Sequence, residues 1–223
     1  MISIIIPTLN EAQEIVQTLE IAQRSFATEV IVVDGGSQDG TVQLAESKGA
    51  IVLKTNPGRA HQMNQGAALA TGEILLFLHG DTRLPPGFDH QIREFLSHQD
   101  IIAGAFTLKI ADSLPGLRWV ERVVNWRSRV LQFPYGDQAL FLLRKTFECM
   151  GPFPEMPIME DFELVRRLRQ QGKIGIVPSP VITSGRRWRK LGIVKTTLIN
   201  QAMILGYLTG VSPERLATWY RRK

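Results

Sequence analysis

A single cysteine, Cys149, stands in a chain of 223 residues, which excludes an intramolecular disulfide and suits a reducing compartment. Long apolar runs are missing as well. None approaches the roughly 18 to 20 residues that a membrane-spanning helix needs, so the expectation is a soluble protein, or at most a peripheral one. The opening stretch, Met1 to Pro7, has no basic residue and meets proline too early for a secretory leader. It reads as a buried strand, and a cytoplasmic home is expected. No run of about five or six like charges occurs, and charged residues make up only 21%, which speaks against disorder and charged tails. A phosphate-binding Walker loop and a zinc ligand set are also lacking. The nearest approach to a dinucleotide fingerprint, Gly35-Gly36-Ser37-Gln38-Asp39-Gly40, fails at its second glycine.

What is present is apolar bulk. Hydrophobic residues form 44% of the chain, enough to bury one α/β core, so residues 1–223 are expected to form one domain. Residues 1–100 would make one half, and residues 101–223 a second half with helices at its end. The net charge is +5, with a pI near 9.6. The excess gathers late, in Arg166-Arg167, Arg186-Arg187, Arg189-Lys190 and Arg221-Arg222-Lys223. Such a balance favours polyanionic partners: a diphosphate, an anionic bilayer or nucleic acid. Solvated helix faces explain any single pair equally well.

Short aliphatic runs bounded by turn residues predict strands over Ile2–Ile6, Glu29–Val33, Ile51–Lys54 and Glu73–Leu78. Helical patterns fall between them. Asn10, with Gln13 three residues on, predicts a cap for a first helix that buries Ile15, Leu19, Ala22 and Phe26. Thr41–Lys48 predicts a second helix, and Ala60, Met63, Ala67 and Ala70 line a third. Alternation of strand and helix implies right-handed crossovers and a mainly parallel sheet covered on both faces. Ligands then belong beyond the carboxyl ends of the strands. Further on, Ala103–Ile110 and Gln138–Leu143 read as strands with a helix over Leu117–Leu131 between them. Glu160–Gln171 and Leu191–Val211 read as helices.

Three strand-end motifs carry chemistry: Pro7-Thr8-Leu9-Asn10-Glu11, Asp34-Gly35-Gly36-Ser37 and His79-Gly80-Asp81. Together with Gly136-Asp137-Gln138 and Glu160-Asp161, their order and strand context resemble the family 2 glycosyltransferases. Gly58-Arg59-Ala60-His61-Gln62-Met63-Asn64 and Ser184-Gly185-Arg186-Arg187-Trp188 resemble a small bacterial subgroup of that family. The resemblance implies a GT-A fold with a Rossmann-like sheet. It also implies an inverting hexosyltransferase that uses a UDP- or GDP-sugar and Mn2+ or Mg2+ to glycosylate a hydroxyl acceptor, with no role for nucleic acid.

The residues themselves leave alternatives open. Asp34, directly after an apolar strand, is placed to accept the imide N–H of a uracil-type base, and equally to form an Asx-turn. Glu11 is either a nucleotide contact or a first-turn acid favoured by the helix dipole. The resemblance adds Pro7, Thr8, Asn10, Gly36, Ser37, Asn64 and Gly80 to the nucleotide-sugar set, and puts Asp81 on the metal. His79 stands where the family has the first Asp of Asp-x-Asp, and imidazole suits Mn2+ better than Mg2+. Arg59, at a helix start, can reach phosphates or simply face solvent. Arg186 and Arg187 can grip a diphosphate and Trp188 can stiffen a lid, although ordinary surface arginine is the plain alternative. The resemblance assigns Asp161, beside Glu160, as catalytic base, against the simple reading of acids at a helix start. Gly136, Asp137 and Gln138 are assigned to the acceptor side, where a turn would use the same residues.

Two other functions compete. A nucleotidyltransferase would place a Gly-rich, Arg-containing loop after the first strand, where Pro7-Thr8-Leu9-Asn10 stands. A nucleotide-sugar-binding protein without turnover would keep Asp34. The stretch Leu191–Val211 fits docking on the inner face of a membrane, where a lipid acceptor would be met; it fits packing in the core or across a homodimer equally.

Overall fold

The computed structural model describes residues 1–221; Arg222 and Lys223, the end of the last basic cluster, lie outside the described residues. The first half is β1 (Ile2–Thr8), α1 (Ile15–Ala22), β2 (Thr28–Asp34), α2 (Thr41–Ser47), β3 (Ile51–Lys54), α3 (Arg59–Leu69) and β4 (Ile74–Phe77). These strands pair in parallel, with β1 between β2 and β4. β1 is apolar at nearly every position because both of its faces are covered. Ile4 and Ile6 pack on one side with Val32 and Leu76, and Ile5 packs on the other with Val33 and Phe77. Ile2, Ile4, Ile5 and Ile6 are fully buried, each contributing about 1.5–3 kcal/mol, so the N-terminal strand belongs to the core.

The second half comprises β5 (Thr82–Arg83), α4 (Phe88–Leu96), β6 (Ile101–Ala111), α5 (Leu117–Leu131), a 3-10 turn (Gly136–Gln138), β7 (Leu140–Leu143) and α6 (Arg144–Met150). It continues through α7 (Glu160–Arg169), β8 (Lys173–Ser184), α8 (Arg186–Leu191), α9 (Ile193–Leu208) and α10 (Pro213–Arg221). All eight strands form one sheet in the order β3-β2-β1-β4-β7-β6-β8-β5. β7 runs antiparallel to both neighbours, β8 is parallel to β6, and β5 is antiparallel to β8. The carboxyl ends of β1, β2, β4, β6 and β8 and the turn before β7 therefore share one edge of the sheet.

Several local expectations need correction. Asn10 does not cap α1. The helix begins at Ile15, and Asn10 sits in the left-handed region at φ 57°, which asparagine tolerates. Phe26 lies beyond the helix and is fully exposed. Gln138 belongs to the 3-10 turn, so β7 starts only at Leu140. Leu191–Val211 is broken at Gly192, whose φ of 81° ends α8 and starts α9. β8 was not foreseen, since Gly175, Pro178 and Pro180 interrupt its pattern. A register shift accommodates them: Phe106 pairs with Val177 and Thr107 with Pro180, and the Thr107 hydroxyl bonds the Pro178 carbonyl at 2.8 Å.

Candidate functional site

At the edge formed by β1 and β2, Thr8 is in register with Asp34. Asp34 is 2% exposed. Its carboxylate accepts the N–H groups of Gly36 at 2.9 Å and Ser37 at 2.8 Å, together with the Ser37 hydroxyl in a close contact. The Asx-turn is thus realised, and Gly36 occupies the left-handed region at φ 97° that such a turn favours. Asn10 ties the first loop to the second, its N–H donating to Ser37 Oγ at 2.8 Å and its Oδ1 accepting from the Gln38 N–H at 2.9 Å. Pro7 lies within β1 opposite Val33. Behind this edge, buried Gln62 donates from Nε2 to the carbonyls of Thr8 at 2.9 Å and Val33 at 2.7 Å, holding the two strand ends in a fixed splay.

In the centre, Gly80 leaves no room for a side chain: a Cβ there would lie 3.2 Å from both Thr8 Cγ2 and Glu11 Cγ. Its carbonyl accepts the Thr18 hydroxyl at 2.9 Å. Arg186, at the start of α8, forms a close ion pair with Glu11 and reaches Asp81 Oδ2 at 3.4 Å. Burial raises the Glu11 pKa against the pull of Arg186. The loops after β1 and β4 and the segment after β8 therefore meet through Glu11, Asp81 and Arg186.

On the far side, Asp161 accepts the Gly136 N–H on Oδ2 and the Phe162 N–H on Oδ1, both at 2.7 Å. The position of a Cβ on Gly136 would be 3.0 Å from Asp161 Oδ2 and 3.2 Å from His79 Nε2, so His79 and Asp161 converge on Gly136 and leave a side chain there little room. Burial, then the Arg59 charge, push the His79 pKa down to about 4 against Asp81 and Asp161; the ring is neutral at pH 7. Burial raises Asp137 to about 6, with Asp161 and Asp81 adding to the rise and Arg127 opposing it. Its Oδ1 is enclosed without a partner among the described residues. Arg59 lies 3.4 Å from Glu160, which is nearly fully buried. Arg187 has its guanidinium 3.9 Å over the Tyr220 ring and its Nε enclosed without a partner among the described residues. Burial and the Arg59 charge lower its pKa. Arg59 is balanced by Glu160, Asp161, Asp137 and Asp81, whereas Arg187 has no acid paired to it among the described residues and feels the Arg59 charge, which favours an anion beside it.

Other predicted residues turn out to be braces. Asn64 clasps Phe153, its Nδ2 donating to the carbonyl at 2.8 Å and its Oδ1 accepting the N–H at 2.9 Å. Gln138 is fully enclosed; it donates to the Phe106 carbonyl at 2.9 Å and accepts from Ser128 Oγ at 2.7 Å. Trp188 is partly buried and packs against the core. Sequence reasoning missed Gln62 as the strand clasp, and also Arg127, stacked 3.5 Å over Tyr135 beside Asp137. A lone arginine in an amphipathic helix carries no signal that could have found it. A separate groove is lined by Ile21, Phe26, Pro86 and Phe88 and includes none of these acids.

Among the described residues no three His, Cys, Asp or Glu side chains gather as a metal shell. His79 faces Gly136 and Asp161 and feels the Asp81 charge, while Asp81 reaches Arg186. One partly exposed carboxylate suits a hard cation that arrives with diphosphate oxygens; it does not suit one caged by protein alone. No helix among the described residues is long and apolar enough to cross a membrane.

A family model described as glycosyl transferase family 2 matches residues 3–153. Mycobacterium bovis and Mycobacterium tuberculosis proteins named PGL/p-HBAD biosynthesis glycosyltransferase are 41% identical, over 69% of this chain and 63% of theirs. The chain thus spans under two thirds of the length of these curated relatives. Among solved structures, the mannosyltransferase PcManGT from Pyrobaculum calidifontis, in complex with GDP-Man and Mn2+, superposes with a TM-score of 0.65 at 23% identity, covering 81% of this chain and 56% of that one. Glucosyl-3-phosphoglycerate synthase from Mycobacterium tuberculosis, with Mg2+ and UDP, gives 0.61 at 21% identity, covering 81% and 69%. At these identities the likeness concerns the fold, which is of the GT-A type.

Proposed function

The chain belongs to glycosyl transferase family 2, and from that premise we propose that it moves a sugar from a UDP- or GDP-linked donor to an acceptor hydroxyl, with inversion at the anomeric carbon. The observation that carries this reading is the convergence of Asp161, His79 and Gly136 on one strand edge, beside the Asp34 loop and Arg187, a half-buried cation with no acid paired to it among the described residues. Residues 1–100 serve the donor: the base lies against Thr8 and the Asp34 loop, and the diphosphate lies towards Arg59, Arg186 and Arg187. Residues 101–223 serve the acceptor, with Gly136 and Asp137 on its side of the site.

Each oxygen of Asp161 keeps a lone pair beyond its main-chain bond, so this carboxylate takes the proton of the attacking hydroxyl. As the new C–O bond forms, the bond from the anomeric carbon to phosphate breaks, and the nucleoside diphosphate leaves with the electron pair. Glu160, held by Arg59, fixes the start of α7 and so positions Asp161. Neutral His79 bounds the same space without adding a positive charge. Arg186 exchanges its carboxylate partners for phosphate oxygens when the donor binds, which frees Asp81. Asp81 is the residue that would hold Mg2+ or Mn2+, and such a cation would supply positive charge against the departing diphosphate. Solved relatives by fold that carry GDP-Man with Mn2+ or UDP with Mg2+ support this pairing of nucleotide and cation.

The test is a thermal-shift panel of nucleotides with and without Mn2+, followed by mass spectrometry of products from nucleotide sugars and a lipid extract. UDP or GDP should stabilise the protein with Mn2+ present, and Asp161→Asn should retain that shift while losing transfer by about 100-fold or more. Equal rates in Asp161→Asn would remove it as base. Nucleotide binding with no transfer across the panel would leave a binding protein instead.

A further inference from the structure

We propose that the outer face of α5 is a docking surface for an anionic lipid bilayer. The inner face of this helix is accounted for: Leu117, Glu121 and Ser128 are buried, and Val120 and Val124 pack on the core. The outer face is apolar where water would favour polar residues. Trp119 is 69% exposed, Val123 42%, Trp126 61% and Val130 57%. Their spacing of four, three and four residues places them in one stripe along the helix. Exposed large apolar side chains in a contiguous row mark an interaction surface.

Charge identifies the occupant. Arg122 and Arg129 are exposed on the same helix, and its one acid, Glu121, turns inward to accept the Ile110 N–H at 2.6 Å and is paired with Arg118 at 3.1 Å. The start of α5 meets the start of α9, where a Cβ on Gly116 would lie 3.5 Å from Ile193 Cδ1. There Val194 and Leu198 are exposed, and Lys195 is the only charged residue of α9. The nearby acid Asp112 is already paired with Arg189 at 2.8 Å. Tryptophan and valine flanked by arginine match the boundary between acyl chains and anionic headgroups. A second copy of the chain fits less well, because a two-fold contact would set these arginines against one another with no free carboxylate between them.

Docking here would have a local effect. α5 leads through residues 132–135 to Gly136 and Asp137, and its Arg127 stacks on Tyr135, so the helix that would meet the bilayer also braces the acceptor side. The inference does not rest on the transfer reaction, because binding is measured without donor or acceptor.

The experiment is co-sedimentation of the full chain with vesicles of phosphatidylcholine containing about 30% phosphatidylglycerol, against phosphatidylcholine alone. Binding to the anionic vesicles is expected, together with weakening by salt and quenching of tryptophan fluorescence by brominated lipid. Trp119→Ser/Trp126→Ser should bind about tenfold more weakly or worse, as should Val123→Asp. Arg122→Gln/Arg129→Gln should lose part of the binding, each variant keeping the wild-type circular dichroism and Tm. Wild-type protein left in the supernatant, equal binding to neutral vesicles, or undiminished binding by the double Trp variant would overturn the proposal. A dimer broken by the Trp substitutions, without vesicle binding, would assign the stripe to a second copy.

Discussion

Replacing Asp137 with asparagine should stabilise the protein at neutral pH while damaging its site. An ordinary aspartate titrates near 3.8, and burial pushes Asp137 up to about 6, with Asp161 and Asp81 adding to the rise and Arg127 and Arg59 offsetting part of it. The gap of about two pH units corresponds to at most about 3 kcal/mol. Part of the residue remains accessible, so an effect of about 1–2 kcal/mol is expected after screening. The direction follows from proton uptake. Below pH ~4 the carboxyl is neutral both folded and unfolded, and wild type and Asp137→Asn should differ little. Between pH ~4 and ~6 the unfolded chain ionises while the folded chain keeps its proton, so wild type loses stability relative to the variant. Above pH ~6 both states are ionised and the difference stays constant. Thermal melts from pH 4.5 to 8 should therefore show a Tm advantage for Asp137→Asn that opens towards pH 6 and levels off at about 3–6 °C. A difference that is flat with pH, or a variant less stable than wild type at pH 7.5, would refute this reasoning.

Gly136→Ala places a methyl group 3.0 Å from Asp161 Oδ2 and 3.2 Å from His79 Nε2; transfer should fall by about tenfold or more, with a stability change under about 1 kcal/mol, read by product assay and melts. Asn64→Leu leaves the Phe153 N–H and carbonyl without their side-chain partner and should cost about 1–3 kcal/mol in urea unfolding, with nucleotide affinity changed less than twofold. Mn2+ alone should move Tm little, because Asp81 is shared with Arg186, whereas Mn2+ with UDP or GDP should raise it by several degrees, a shift that EDTA reverses.

The first half of the fold was legible because its strands are buried on both faces and end in short polar motifs. Apolar runs such as Ile2–Ile6 and Glu29–Val33 have few other interpretations when Gly and Asp follow them. The helix over Leu117–Leu131 was legible from its period, and its exposed stripe is visible only once Glu121 is seen to face inward. β8 was hidden because prolines ordinarily argue against a strand, and only the bulge opposite Thr107 makes room for them. The small element β5 is held by its partner and has no pattern of its own. Within the site, the acids were readable as acids at strand ends, but the amides were not. Asn64 and Gln138 stand among ligand-like residues in the chain, yet each satisfies main-chain groups of a distant segment, a role that depends on contacts over many residues of separation. Asn10 likewise joins two loops where local rules predict a cap.

The amide of Gln62 has a consequence beyond the strands it spans. Two oxygen lone pairs point at one nitrogen, so swapping that NH2 for a carboxylate oxygen would turn two attractions into two repulsions in a dry interior, although glutamate and glutamine have nearly the same shape. A library randomised at this codon should therefore reject the closest steric mimic, and slow deamidation there would open the nucleotide end of the sheet with a mass change of about one dalton.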